Sequence, residues 1–329
     1  MPKERIIPIF VPHFGCPNMC VFCNQRRISG HSGLPDASAE IEAALPYSGE
    51  KPQIAFYGGS FTAIEHEMQE RLLEMAFTYV RRGLVSSVRV STRPDCIDAE
   101  TVERLKRFAV TTVELGVQSL DDRVLRLTKR GHSAGCVKDA VELLRRAGIK
   151  VILQMMTGLP GDTGEESIAT AEKIIALRPD GVRIYPTTVL PDTELADMMA
   201  AGEYAPESVE DAVELCAKLA DMFEDAGIPV IRLGLNPSRE LDVSVIAGAY
   251  HPALGELVLS RRMLKRAEAL IDGLDRVPEE IVIGVNRRRV SPMTGQKREN
   301  IMALRERYDV KSVKVVPIDV PENEIRIIE

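Results

Sequence analysis

The chain has 329 residues, 45% of them hydrophobic and 28% charged, enough for one large domain or two with substantial cores. A net charge of −7 excludes a surface coated in positive charge for nucleic acid and leaves room only for a local basic face, while the absence of any run near roughly 18 apolar residues reads as a soluble, cytoplasmic protein. Six cysteines, three of them crowded together, do not resemble the disulfide framework of a small secreted domain and point to reduced thiols in metal or redox use.

In chain order, PIFVPHF reads as a first strand, followed by the segment FGCPNMCVFCNQRRISG with Cys16, Cys20 and Cys23. Three thiolates spaced CxxxCxxC do not close a structural zinc site, which takes four protein ligands. Two readings stand at this point. His13 completes a zinc site, giving a zinc-stabilised binding protein that presents a basic C-terminal part to RNA; or the thiolates hold three irons of a [4Fe–4S] cube and leave the fourth without a protein ligand. Gly15, Pro17 and Asn18 suit a loop there rather than a helix.

QIAFYG reads as the second strand, and FYGGSFT, Phe56 to Thr62, as its turn into a helix, where bare backbone at Gly58 and Gly59 permits close approach of a ligand. Thr62 with Glu65 makes a capping-box pattern that places the helix start at Thr62, with Met68, Leu72, Met75, Ala76 and Tyr79 on one face. A unit then recurs: an amphipathic helix, a short break usually carrying Gly, and a β-branched run, in RRGLVSSVRVS, RFAVTTVELGV, RRAGIKVILQMM, LRPDGVRIYP and EDAGIPVIRLGL. Glycine permits the left-handed turn that ends a helix, and runs apolar on both faces suit a buried parallel sheet. Six or seven such strands fit a complete or incomplete parallel barrel, or an open doubly wound sheet.

STRPD, Ser91 to Asp95, closes the third strand and ELGVQS, Glu114 to Ser119, the fourth; polar groups at strand C-termini face the active mouth of a parallel barrel. In TKRGH, Lys129, Arg130 and His132 either reach an anionic group or form a solvated helix-end cluster. A helix follows Ser133 with Val137, Ala140, Val141 and Leu144 turned inward; Cys136 and Cys216 sit in helical stretches as core or flank residues, and Cys96 follows a strand end. GLPGDT, Gly158 to Thr163, makes a turn after the fifth strand, and Tyr185 lies on the sixth. Beyond Asn236 the rhythm fades into a loop, a helix, the strand IVIGV, a basic loop, the helix KRENIMALRERY and the strand VKSVKVVPI, so residues 1–235 read as the core and 236–329 as a small α+β extension. The basic loop reads as a solvated face, its single Gly295 falling short of the GxxG clamp of an RNA-binding KH module. His251 and Glu256 are candidates for a place under the barrel mouth, but a lone His is more often a hydrogen-bonded structural residue than an acid, and no general base is named.

The ordered set GCPNMCVFC, FYGGSFT, STRPD, ELGVQS, TKRGH and QMMTGLPG, with aromatic Phe22 just before the last cysteine, resembles the radical SAM superfamily. Within it the likeness is to the Elongator-catalytic-subunit-like branch, close to the coproporphyrinogen dehydrogenase type. IRLGLNPS and YHPALGELV extend it to about residue 258. The resemblance implies an α/β fold, a partial (β/α)6 TIM-type barrel, with a [4Fe–4S] cluster on Cys16, Cys20 and Cys23 whose open iron binds S-adenosylmethionine. It implies an enzyme in which one electron, from a reductant protein such as flavodoxin or ferredoxin, cleaves that cofactor to a 5′-deoxyadenosyl radical that takes hydrogen from a substrate. It further implies cofactor contacts at Phe22, Gly58, Gly59, Ser60, Thr62, Ser91, Arg93, Gln118, Ser119, Arg130, Gly158 and Tyr185, with the glycine pair on the methionine moiety and Gly158 and Tyr185 near the adenine.

Three departures limit the likeness. The gap between the first two cysteines is shorter than in the Elongator subunit, Gln154 stands where that subunit tends to carry His, and no room is expected for its acetyltransferase domain. Wobble-uridine chemistry is therefore not carried over, and an RNA nucleoside and a small metabolite both stand as substrates.

Overall fold

Seven β-branched runs become the strands of one sheet in the computed structural model, which describes residues 5–11, 16, 19–24 and 36–328. They are β1 (Ile6–Val11), β2 (Gln53–Gly58), β3 (Ser87–Thr92), β4 (Val110–Gln118), β5 (Lys150–Thr157), β6 (Gly181–Pro186) and β7 (Val230–Leu233). Each pairs in parallel with the one before it, so the sheet order is the chain order and the sheet curls into an open half-barrel. It holds one strand more than a six-unit barrel because β7 pairs with β6 as well.

Helices α1 (Ala37–Ala44), α2 (His66–Arg81), α3 (Ala99–Arg107), α4 (Ala134–Arg146) and α5 (Gly164–Leu177) intervene between the strands. Side chains alternate across a strand, and one set, including Phe56, Val88, Val90, Val113, Leu115, Leu153 and Ile184, is fully buried. The helices answer with Leu73 and Ala76 of α2, Leu105 of α3, and Ile174 of α5. Helix α4 buries Val137, Ala140, Val141 and Leu144 behind Ser133, as its spacing predicts. Gly83, Gly148 and Gly227, which follow helical stretches, take φ of 70°, 75° and 72°, the left-handed turn that halts a helix.

The start of α2 differs from expectation. It begins at His66, because Phe61–Ala63 forms a separate 3-10 turn and the Thr62 hydroxyl bonds Thr92 Oγ1 at 2.6 Å instead of capping a helix. The buried face of α2 is Gln69, Leu72, Leu73, Ala76 and Tyr79, while Met68 and Met75 are half-buried.

The chain divides into two compact units, Met1–Ser208 with Phe223–Tyr250, and Val209–Met222 with His251–Glu329. In the second, α6 (Leu254–Asp272) and α7 (Glu299–Tyr308) share a core with β8 (Glu280–Asn286), β9 (Ser312–Ile318) and β10 (Ile325–Ile328), built on Met263, Ile271, Ile283, Val285, Met293 and Leu304. Strand β8 pairs in parallel with β9 and antiparallel with β10, a strand too short to stand out in the sequence. The expected basic loop is a 3-10 turn, Arg287–Arg289, and a short helix, Val290–Thr294; Arg288 and Arg289 each pair with Glu322 at 2.8 Å. Among the described residues no helix is long and apolar enough to cross a membrane.

Candidate active site

The carboxyl ends of the strands open onto a cavity of about 470 Å³ in the first unit. Gly58, Gly59 and Ser60 border it from the end of β2, Ser91 and Arg93 from β3, Gln118 from β4, and Tyr185 from β6. The local backbone explains several of these positions. Gly58 has φ of 107°, and a Cβ there would lie 2.3 Å from the carbonyl oxygen of Val11, so glycine lets β2 pass close to the end of β1. Ser60 Oγ bonds Thr92 Oγ1 at 3.0 Å and accepts from Arg93 N at 3.0 Å, pinning the GGSFT turn to the end of β3. Gln118 sits at φ of 67° where the β4–β5 register shifts, a strained backbone of the kind that clusters at functional sites, and its Oε1 accepts from Gln154 Nε2 at 2.7 Å.

Cys16, Cys20 and Cys23 border the same cavity, as does Phe22. Their loop is held at its middle: Val21 N donates to Thr128 O at 3.2 Å, Val21 O accepts from Leu195 N at 2.8 Å, and the Val21 side chain packs with Val189, Leu195 and Tyr204. Arg130 reaches the loop from TKRGH, with Nη1 3.6 Å from Cys20 Sγ and Nη2 donating to Gly116 O at 2.6 Å. Arg93, 1% exposed, grips Asp95 with Nε and Nη2 at 2.9 Å each and donates to Arg130 O at 2.6 Å.

Below this rim the inner face of the sheet is polar, not apolar as the strand runs suggest. Glu114 Oε1 accepts from Arg89 Nη1 at 2.8 Å, Arg183 Nη2 at 2.9 Å and the Tyr57 hydroxyl at 3.0 Å, and Arg183 Nη1 donates to the Tyr185 hydroxyl at 3.2 Å. Arg183 also stands over the Tyr57 ring, 5.6 Å from its centroid. Burial, reinforced by the Glu114 charge, raises the Tyr57 pKa and keeps its hydroxyl protonated. Tyr57, Glu114, Gln154 and Arg183 border the cavity, and the sequence reading offers none of them as a site residue. For Arg89, Glu114, Gln154 and Arg183 the signal is a lone polar side chain inside an apolar run: VRV, VEL, LQM and VRI.

Three expected contacts do not face the cavity. Thr62 is spent on Thr92; Ser119 Oγ accepts from Asp121 N at 3.1 Å; and Gly158, φ 68°, lies against the Glu207 side chain and accepts the Tyr204 hydroxyl at 2.6 Å. Of the TKRGH bases only Arg130 borders it. Lys129 is exposed and pairs with Glu194 at 2.6 Å, and His132 is buried, its pKa pushed down to about 4 by desolvation and by Arg130. His251 Nδ1 accepts from Ala253 N at 3.1 Å, a local structural bond, and neither it nor Glu256 borders the cavity.

The donor set fits an iron–sulfur cube. Cys16, Cys20 and Cys23, which line one cavity, would hold such a cube with one thiolate to each of three irons, and the buried guanidinium of Arg130 beside Cys20 Sγ would supply counter-charge. His13, the fourth ligand of the zinc alternative, lies outside the described residues. Among the described residues no three His, Cys, Asp or Glu side chains converge on a single ion.

The family model "Radical SAM superfamily" matches residues 10–174 and "Radical_SAM C-terminal domain" residues 179–266. The tRNA uridine(34) acetyltransferase of Dehalococcoides mccartyi is 26% identical over 230 residues, 58% of this chain and 50% of its own length. Human Elongator complex protein 3 is 28% identical over 238 residues, 66% of this chain and 43% of its own. The chain thus spans about half the length of these relatives. Among solved structures, archaeal Methanocaldococcus infernus Elp3 with an N-terminal deletion superposes with a TM-score of 0.64 at 24% identity, covering 80% of this chain and 63% of that one, a likeness of fold.

Proposed function

Because this chain belongs to the radical SAM superfamily, whose members use a [4Fe–4S] cluster and S-adenosylmethionine, we propose that it is an enzyme holding the cluster through Cys16, Cys20 and Cys23 and acting on a nucleoside of RNA. When bound, the two groups supply a 5′-deoxyadenosyl radical, made by one electron from a flavodoxin- or ferredoxin-like reductant, that removes a hydrogen atom from the substrate.

The observation that carries this reading is the single cavity that unites the three thiols with the strand-end residues. In it, Gly59 and Ser60 receive the amino-acid end of S-adenosylmethionine, Ser91 and Gln118 its ribose, and Tyr185 borders its adenine. Arg93, fixed by Asp95, holds the end of β3 in place. Phe10, Phe22, Leu190, Leu235 and Leu241 line the remaining wall and exclude water from a reactive radical. Hydrogen-atom transfer needs this positioning rather than a protein base. RNA as substrate is supported by the relatives whose names state tRNA as theirs.

The test is anaerobic incubation with S-adenosylmethionine and dithionite, measuring 5′-deoxyadenosine by mass spectrometry with and without total tRNA. The reading expects formation of 5′-deoxyadenosine, accelerated by tRNA, with deuterium from labelled RNA appearing in it. No product from cluster-loaded protein would indicate a catalytically idle relative; product indifferent to tRNA would move the substrate to a small metabolite.

A further inference from the structure

Arg130 is 7% exposed, yet no carboxylate among the described residues pairs with it, since Asp95 is engaged by Arg93. An arginine remains charged in any protein setting, and a buried charge without a counter-ion is strongly destabilising. Its Nη2 is satisfied by Gly116 O and its Nε is buried with no partner, so among the described residues the contact left for Nη1 is the Cys20 sulfur, 3.6 Å away. Arg130 Nη1 and Cys20 Sγ thus stand at hydrogen-bond distance, with both residues buried.

The backbone around Arg130 is built to hold that contact. Lys129 and Gly131 have φ of 51° and 80°, a kinked turn that aims Thr128 O at Val21 N and Arg130 O at Arg93 Nη2. One short segment thus grips the cysteine loop through its main chain and touches its middle thiol through a side chain. Lys129 next to it does neither with its side chain, which pairs with Glu194.

We infer that Arg130 is a positioning residue that donates an N–H···S hydrogen bond to the Cys20 thiolate and thereby raises the reduction potential of the cluster. The inference rests on the function proposed above. Reduction adds one electron, from dithionite or a flavodoxin-class donor, and no proton. A fixed positive charge and an N–H donor at a ligand sulfur stabilise the more negative reduced form over the oxidised one, and hydrogen bonds to sulfur and net charge are what set such potentials. This differs from anchoring the carboxylate of S-adenosylmethionine, because it operates with no cofactor bound.

The test is an EPR-monitored potentiometric titration of anaerobically loaded protein without S-adenosylmethionine, comparing wild type with Arg130→Gln and Arg130→Lys. The iron content of the wild type is measured first, so that absence of a cluster, which refutes the proposed function, is separated from failure of this inference. Arg130→Gln should be reduced about tenfold less readily, a shift of about 59 mV to more negative potential for a one-electron couple, with Arg130→Lys between. An unchanged potential in Arg130→Gln, with weaker S-adenosylmethionine binding, would overturn the inference in favour of a carboxylate anchor. If Arg130→Gln does not retain iron, pulsed EPR of the reduced wild type grown with 15N-guanidino arginine decides: a 15N coupling without S-adenosylmethionine supports the contact, and its absence overturns it.

Discussion

Glu114 accepts three donors on one oxygen inside the barrel, and its removal is the sharpest structural perturbation available. The Arg89 side chain is 2% exposed and that of Arg183 13%, so Glu114→Ala leaves two buried guanidinium groups without their shared carboxylate. Breaking a buried ion pair by deleting one partner costs about 3–5 kcal/mol, a large share of a typical domain's 5–15 kcal/mol. For a unit of this size that corresponds to a fall in Tm on the order of 10 °C. Glu114→Gln keeps an acceptor for Tyr57 but loses the charge, and should fall between. Replacing Arg89, Glu114 and Arg183 together by Met, Leu and Met removes the charges as well as the pairing, and such apolar exchanges are often neutral. Urea unfolding followed by far-UV circular dichroism measures all three. The reasoning is refuted if Glu114→Ala costs less than about 1 kcal/mol, or if the triple variant is no more stable than the single.

Asp162 carries a pH-dependent prediction. Burial lifts its pKa from 3.8 to about 6, against hydrogen bonds from Ser167 Oγ at 2.7 Å and Gly158 N at 3.0 Å. The folded state holds this proton more tightly than the unfolded chain, so the stabilisation is complete below pH 3.8 and is lost as pH rises through about 6. Asp162→Asn keeps both acceptor bonds without the charge, and thermal melts should show it more stable than wild type by up to about 3 kcal/mol at pH 8 and equal near pH 4. A pH-independent difference would contradict this. Gly58→Ala meets both a left-handed backbone and the Val11 carbonyl oxygen at 2.3 Å, and should cost roughly 2–4 kcal/mol in chemical denaturation. A loss within about 0.5 kcal/mol would mean the β1–β2 edge is pliable. Gly59→Val should weaken S-adenosylmethionine binding in equilibrium dialysis while iron content is kept; unaltered affinity would confine the glycine pair to shaping the turn.

Local physics made much of this fold legible in the sequence. The left-handed glycines at 83, 148 and 227 and the inward set of α4 could be read because each depends on residues within a few positions of itself. The three cysteines were legible for the same reason. The polar barrel interior was not, because Tyr57, Arg89, Glu114 and Arg183 stand on four different strands and meet only once the sheet curls. Gln154 and Arg183 lie in register across β5 and β6, a juxtaposition that no single strand announces. Thr62 shows the reverse failure: a sound local cap motif was overridden by a tertiary bond to Thr92. Ser119 and Gly158, which directly follow the ends of β4 and β5, could not be told from true rim residues by spacing alone.

The most direct test of the account is the iron and acid-labile sulfide content of the protein purified without oxygen, beside Cys20→Ala. The account predicts a brown protein with about four irons and four sulfides per chain, and loss of both in Cys20→Ala with its circular dichroism unchanged. A colourless wild type carrying one zinc, or a Cys20→Ala variant with undiminished iron, would contradict it.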